Sequence, residues 1–515
     1  MRIRFTKLIT SAIILVSVLS TCTTIFAQKA IDPKTEIVTL INGDTTSTGA
    51  RKNTSYTLAR GAVYFALGTI QSNYDLTISA SGNLSLAAPK IIILTDSKGN
   101  SSLPFKPYKS LTLKGLDMSG VNAAGAQIAN IIQTGTTNVK IALKGCTIDS
   151  VQSRMILVDQ NYCSVFVEDC YLHNSAAGSH SGRFIDARET ILDSVVMVNN
   201  TFYNFMHTLI NRFSGGQKYF KFDHNTVYNI ARIPLRIDAS PEIIVTNNLF
   251  IQTGFAGYLK DWDKYIKDID MGDRDEWSRI EIWPKDSVAA FASYTQKINF
   301  KHNNFWLDPA IVALYPDSVR PYMTLDFDFE KKMVGADTLT WLNENVSFTK
   351  APSCKYIEMC KEHWADGSPQ TKPGFTDDKR PYSFTYLTSS KSYTSADGGY
   401  PLGDLNWWPE KKALWSSTTG IKQTKAQPSR FSLEQNYPNP FNPSTVIKYS
   451  ISKASNVTLK VYNVLGKEIA TLVNANQGAG EYSVSFDAKS LASGIYFYTI
   501  SAGSYIETKK MILTK

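Results

Sequence analysis

Leu143-Lys144-Gly145-Cys146-Thr147-Ile148, Val167-Glu168-Asp169-Cys170-Tyr171-Leu172 and Met197-Val198-Asn199-Asn200-Thr201-Phe202 are three copies of one pattern. An apolar residue is followed three positions later by Cys or Asn, and two positions after that by another apolar residue. The pattern occurs earlier as Leu113/Leu116/Met118, and later as Phe222/Asn225/Val227, Val245/Asn248/Phe250 and Phe300/Asn303/Phe305. Copies recur every 23 to 30 residues until a longer insertion precedes the last. That interval is the length of one coil of a β-solenoid. Stacked coils bury a continuous apolar column, and inward Asn side chains can bond one another and the turn backbone from coil to coil. The middle of the chain is therefore expected to be all-β, a right-handed parallel β-helix.

At 515 residues the chain exceeds one ordinary compact core, and 43% hydrophobic with 12% aromatic residues excludes a largely disordered polymer. Residues 1–27 have a charged start, an apolar stretch from Leu8 to Leu19 and a small residue, Ala27, before Gln28. This is the pattern of an export signal. The rival reading, lipid attachment at Cys22 within Leu19-Ser20-Thr21-Cys22, fits less well because Thr precedes that Cys. Removing three basic residues with the leader takes the formal charge from +9 to +6. No dense Lys/Arg run with interleaved aromatics suggests nucleic-acid binding, and no later stretch reaches membrane-spanning length. A monomer is expected. Cys146, Cys170 and Cys163 read as buried thiols, while Cys354 and Cys360 could form a local bridge in an oxidising compartment.

Residues 28–105 read as an N-terminal cap with irregular first coils, and 106–310 as the β-helix, interrupted by an insertion loop at 259–296. Residues 311–418 read as a tail packing on the helix, 419–430 as a linker and 431–515 as a small antiparallel Ig-like β-sandwich. This last unit resembles the C-terminal sorting domain of type IX secretion cargo. The likeness rests on Asn436-Tyr437-Pro438-Asn439-Pro440-Phe441-Asn442-Pro443, Val461-Tyr462-Asn463-Val464-Leu465-Gly466, Leu491-Ala492-Ser493-Gly494-Ile495-Tyr496 and the basic, apolar final strand. The resemblance implies contact with the type IX secretion machinery, export through the periplasm, and an extracellular or outer cell-surface location.

Polar residues follow apolar ones in Ile132-Gln133, Val158-Asp159, Ile185-Asp186, Ile210-Asn211 and Ile237-Asp238. Strand alternation with Ile and Val inward would line up Gln133, Asp159, Asp186, Asn211 and Asp238 on one outer face. Arg188 and Arg236 would flank that column, with Arg183 and Arg212 close by. Carboxylates one coil apart need a partner, which bound calcium or the arginines could supply. Here the chain resembles the pectate-lyase-like β-helices, including chondroitinase-B-like members, in coil length and in the Asn ladder at Asn200, Asn225 and Asn248. The resemblance implies polysaccharide in a groove on that face, and lyase chemistry on uronate-containing glycans by β-elimination. Arg188, Arg212 and Arg236 would then be candidate bases, Asp159, Asp186 and Asp238 calcium ligands, and Gln133, Arg183 and Asn211 substrate contacts. The competing class is a noncatalytic adhesin or carbohydrate-binding surface protein, in which the column is a salt-bridge ladder. His207 and His224 read as turn or surface residues. Trp262, Trp277, Trp283, Trp407 and Trp408 could stack on sugar rings, although packing roles are commoner.

Overall fold

In the computed structural model the described residues are 28–254 except 176–181, 188, 212–214 and 232; 280–282, 291, 293–313, 341–352, 381–418; and 431–514 except 437–438, 453–454, 478–479 and 504. The chain divides into two compact units. The first runs to Phe384 and includes Leu402–Asp404, and the second comprises Thr385–Pro401 and Leu405–Lys515. The expected 311–418 tail thus contributes to both.

The first unit is a parallel β-helix. One coil follows Leu111–Lys114 in sheet I, Asp117–Ser119 in sheet II and Asn130–Gln133 in sheet III, then re-enters sheet I at Lys140–Lys144. Among the described residues the three sheets hold ten, ten and eight strands, and neighbouring strands are parallel, as in Leu113↔Leu143↔Val167↔Met197↔Phe222↔Val245↔Phe300. Equivalent residues of successive coils lie one above another. Inward positions make a single apolar column from Ile31 to Phe305, and Phe202, Phe222, Phe250 and Phe305 form a stack with centroids 5.9, 5.8 and 4.3 Å apart. At the N-terminal end the helix Ile37–Asn42 lays Ile37, Val38 and Ile41 over this column, and Glu36 caps it by accepting from Val38 N and Thr39 N.

The repeated pattern marks the corner between sheets I and II. The residue before each ladder position is left-handed: Gly115, Gly145, Asp169, Asn199, His224, Asn247 and His302 have φ of 66, 60, 59, 55, 53, 62 and 53°. Gly, Asn and Asp tolerate that region best. The corner turns the next side chain inward, and there the ladder forms. Asn200, Asn225 and Asn248 donate through Nδ2 to the Oδ1 of Asn225, Asn248 and Asn303 at 2.9, 3.2 and 2.9 Å. Those same oxygens also accept the backbone N–H of the preceding ladder residue. The ladder ends in sulfur: Asn200 Oδ1 accepts from Cys170 N, and Cys170 Sγ lies 3.4 Å from Cys146 N. Cys146, Cys163 and Cys170 are buried free thiols. Cys354 and Cys360 lie outside the described residues.

A strap crosses sheet II within this unit. Gly403 N donates to Asn247 O at 2.8 Å, Asp404 N to Thr226 Oγ1 at 2.9 Å, and Thr201 Oγ1 to Asp404 Oδ2 at 2.7 Å. Gly403 has φ +86°, and a Cβ there would stand 2.5 Å from Thr226 Oγ1. Only glycine fits.

In the second unit, Ser432–Leu433, Ser444–Ile451 and Gly480–Asp487 form a three-stranded antiparallel sheet. Ser455–Asn463, Glu468–Gln477, Gly494–Ala502 and Tyr505–Leu513 form a four-stranded one. Both contribute to one apolar core around Ile447, Leu459, Tyr498 and Met511. The opening motif is tied to the final strand: Asn439 Oδ1 accepts from Ile512 N at 2.8 Å, and Phe441 N donates to Ile512 O at 2.9 Å.

Candidate functional site

Sheet III carries the polar column, in a register different from the expected one. Pairing follows Ile132↔Ile156↔Ile185↔Ile210↔Leu235. Gln133 therefore stands level with Leu157, Asp186 and Asn211, and Arg236 with Glu281. Asp159 lies beyond the strand Arg154–Leu157 and Asp238 beyond Leu235–Ile237, so neither belongs to the column. Asp159 and Leu157, like Asp238 and Arg236, are two residues apart, and a slip of two residues leaves every side chain on the same face. Alternation could not choose between them. The insertion expected over 259–296 in fact returns a strand, Ile280–Ile282, to this sheet.

Asp186 organises the site. Its side chain is 1% exposed; Oδ2 accepts from Arg154 Nη1 at 3.0 Å and Arg183 Nη1 at 3.2 Å, and Oδ1 from Asn211 Nδ2 at 3.1 Å. Arg154, which sequence reasoning passed over, is braced a second time by Nε donating to Asn130 Oδ1 at 2.9 Å and keeps 24% of its side chain exposed. A polar residue one position before two buried apolar ones, in register with Arg183, was the available signal. Asp159, exposed, accepts from Gln133 Nε2 at 2.8 Å and Thr134 Oγ1 at 2.9 Å. Asp238 is buried and its Oδ2 accepts from Gly215 N at 3.1 Å. Arg183, Asn211 and Arg236 are buried as well. Arg188 and Arg212 lie outside the described residues.

The carboxylates do not fit the expected calcium site. Asp186 has both oxygens committed to guanidinium and amide donors, Asp159 and Asp238 answer to different partners, and no group of three or more His, Cys, Asp or Glu side chains gathers among the described residues. Arg154 and Arg183 pair with Asp186 instead.

His207 and His224, expected at a turn or on the surface, are both buried. His224 occupies the left-handed corner, where its Nδ1 lies 3.3 Å from Gly403 O. The adjacent Asp223 pairs with Lys221 at 3.0 Å and accepts from Thr246 Oγ1 and Asn247 Nδ2. Burial raises its pKa, but Lys221, His224 and the Asn247 amide together hold it below the ordinary 3.8. A depressed carboxyl stabilises the fold above its ordinary pKa and loses that contribution as pH falls through the lowered value. Thermal unfolding followed from pH 7 downwards should show a loss of stability setting in below about pH 4. Asp223→Asn should flatten this part of the profile; an unchanged profile would show that other carboxylates set it. Trp408 packs edge-on against Tyr386 and Tyr393, centroids 5.3 and 4.9 Å away, and Trp262, Trp277 and Trp283 lie outside the described residues.

Residues 435–514 match the family model of the secretion system C-terminal sorting domain. The chain carries a type IX secretion sorting domain. It is delivered to the cell surface or the extracellular space. Among curated proteins and solved structures, none matches it. No helix among the described residues is long and apolar enough to cross a membrane.

Proposed function

We propose that this exported β-helix binds an acidic polysaccharide along the outer face of sheet III. The observation that carries the reading is Arg154, a guanidinium held at two nitrogens by Asn130 and Asp186 on a side chain that keeps 24% of its surface exposed. A guanidinium fixed in this way binds a carboxylate at low entropic cost. Gln133 and Asp159, one coil earlier and just beyond the strand, add a part-exposed amide and an exposed carboxylate for sugar hydroxyls. Binding is favoured over cleavage because Arg236 is buried and Asp186 is saturated. A lyase of uronate glycans and a noncatalytic adhesin for another partner are the alternatives that the experiment separates.

The mature chain should retain on pectin, alginate or a glycosaminoglycan in affinity electrophoresis, with binding that weakens as salt rises. Arg154→Ala should weaken it about tenfold, the loss expected for one charge-assisted contact. Retention on none of these polymers, or equal retention by Arg154→Ala, would refute the proposal. Ultraviolet-absorbing unsaturated uronate products would move the reading to a lyase.

A further inference from the structure

On the outer face of sheet II, one residue per coil, Tyr228, Ile251 and Trp306 lie side by side in register. A segment of the first unit passes over them and is fixed at both ends. Near its start, Asn304 Nδ2 donates to Glu344 O at 2.9 Å while Glu344 N donates to Asn304 Oδ1 at 3.0 Å. Near its end, Tyr228 OH donates to Pro352 O at 3.2 Å, and Lys350 and Ser383 exchange backbone bonds at 3.0 and 2.7 Å. Between these attachments the segment leaves a cleft of about 430 Å³ over Ile251, Gln252 and Trp306. That volume falls within the range of about 300–1,000 Å³ common for small-molecule sites. Gln252 Oε1 is committed to Asp308 N at 3.0 Å, so its NH₂ group is what it can offer a ligand. Ser347 and Lys350 line the cleft from the overlying segment, and none of the described residues that line it is acidic.

We propose that this cleft is a second sugar site, taking a single uronic-acid ring as a chain end or branch. The apolar face of the pyranose lies on Trp306 and Ile251, its hydroxyls meet Gln252 and Ser347, and its carboxylate faces Lys350. An aromatic face opposed by amide, hydroxyl and ammonium donors, with no carboxylate to repel the ligand, selects an anionic ring over a neutral one. The site is remote in sequence position and sheet from Arg154 and does not depend on the reading of sheet III.

Isothermal titration of the mature chain with galacturonate, glucuronate, galactose and glucose tests it. The uronates should bind saturably and about tenfold more tightly than the neutral sugars. Lys350→Met should erase that preference, and Trp306→Ala should abolish binding. Ser347→Trp, which fills the cleft from an exposed position, should abolish it too should Trp306→Ala fail to fold. The same titration on Arg154→Ala separates the cleft from sheet III: the saturable component lost in Trp306→Ala should persist there. Absence of saturable binding by either uronate, equal affinity for neutral sugars, or retained affinity in Ser347→Trp would overturn the site, as would loss of monosaccharide binding in Arg154→Ala.

Discussion

Replacing Asn225 by Ala should lower the stability of the β-helix by about 3–5 kcal/mol, the upper end of single-residue effects. Asn225 is fully buried in the middle of the ladder. Its Oδ1 accepts from Asn200 N and Asn200 Nδ2, and its Nδ2 reaches Met197 O, Asp223 O and Asn248 Oδ1. Truncation leaves the Asn200 amide and the Met197 carbonyl without these partners in a site closed to water. Each orphaned buried group costs about 1–3 kcal/mol, far more than a surface hydrogen bond contributes. Cys146→Ala, at the sulfur end of the same ladder, should cost only about 1 kcal/mol, because a small apolar group replaces a small thiol. Urea unfolding followed by circular dichroism measures both. Equal losses for the two variants would mean that inward volume rather than amide bonding holds this corner.

Asp186→Ala should be almost as damaging, by about 3 kcal/mol once the partial exposure of Arg154 is allowed for. The substitution leaves Arg183, 8% exposed, and Arg154 facing each other without their shared carboxylate. Asp186→Leu combined with Arg183→Met should recover part of the loss, since it removes the more buried of the two orphaned charges and leaves only the partly solvated Arg154. The shift in thermal midpoint reads both variants, with and without calcium. A midpoint that responds to calcium in the wild type and loses that response in Asp186→Ala would restore the carboxylate as a metal ligand. A midpoint indifferent to the Ala substitution would show that the ion triad contributes little.

The fold was legible because its periodicity lies in the core, where apolar residues and Asn recur at one-coil intervals and little else satisfies both requirements. A second ladder was missed. Asn204 Nδ2 donates to Asn174 Oδ1 at 2.9 Å and Asn229 Nδ2 to Asn204 Oδ1 at 3.3 Å, each residue left-handed at φ of 57, 64 and 58°. Its trace was the Asn four positions after Cys170, Asn200 and Asn225. Polar residues beside inward apolar ones were readable in sheet III; their register was not, since two-residue slips are silent in an alternating pattern. Arg154 was passed over although it precedes Met155-Ile156 as Arg183 precedes Phe184-Ile185. The cleft on sheet II left no mark at all, because its far wall comes from 345–352, where the period has faded and placement depends on tertiary bonds to Asn304, Tyr228 and Ser383.

The tie between Phe441 and Ile512 has a temporal consequence. A ribosome makes the solenoid first, and the export address can close only when its terminal strand has emerged to pair with a motif translated some seventy residues before. Cargo whose synthesis stops short leaves this latch open, so the same bonds that stabilise the sandwich also register that translation has reached the end of the strand.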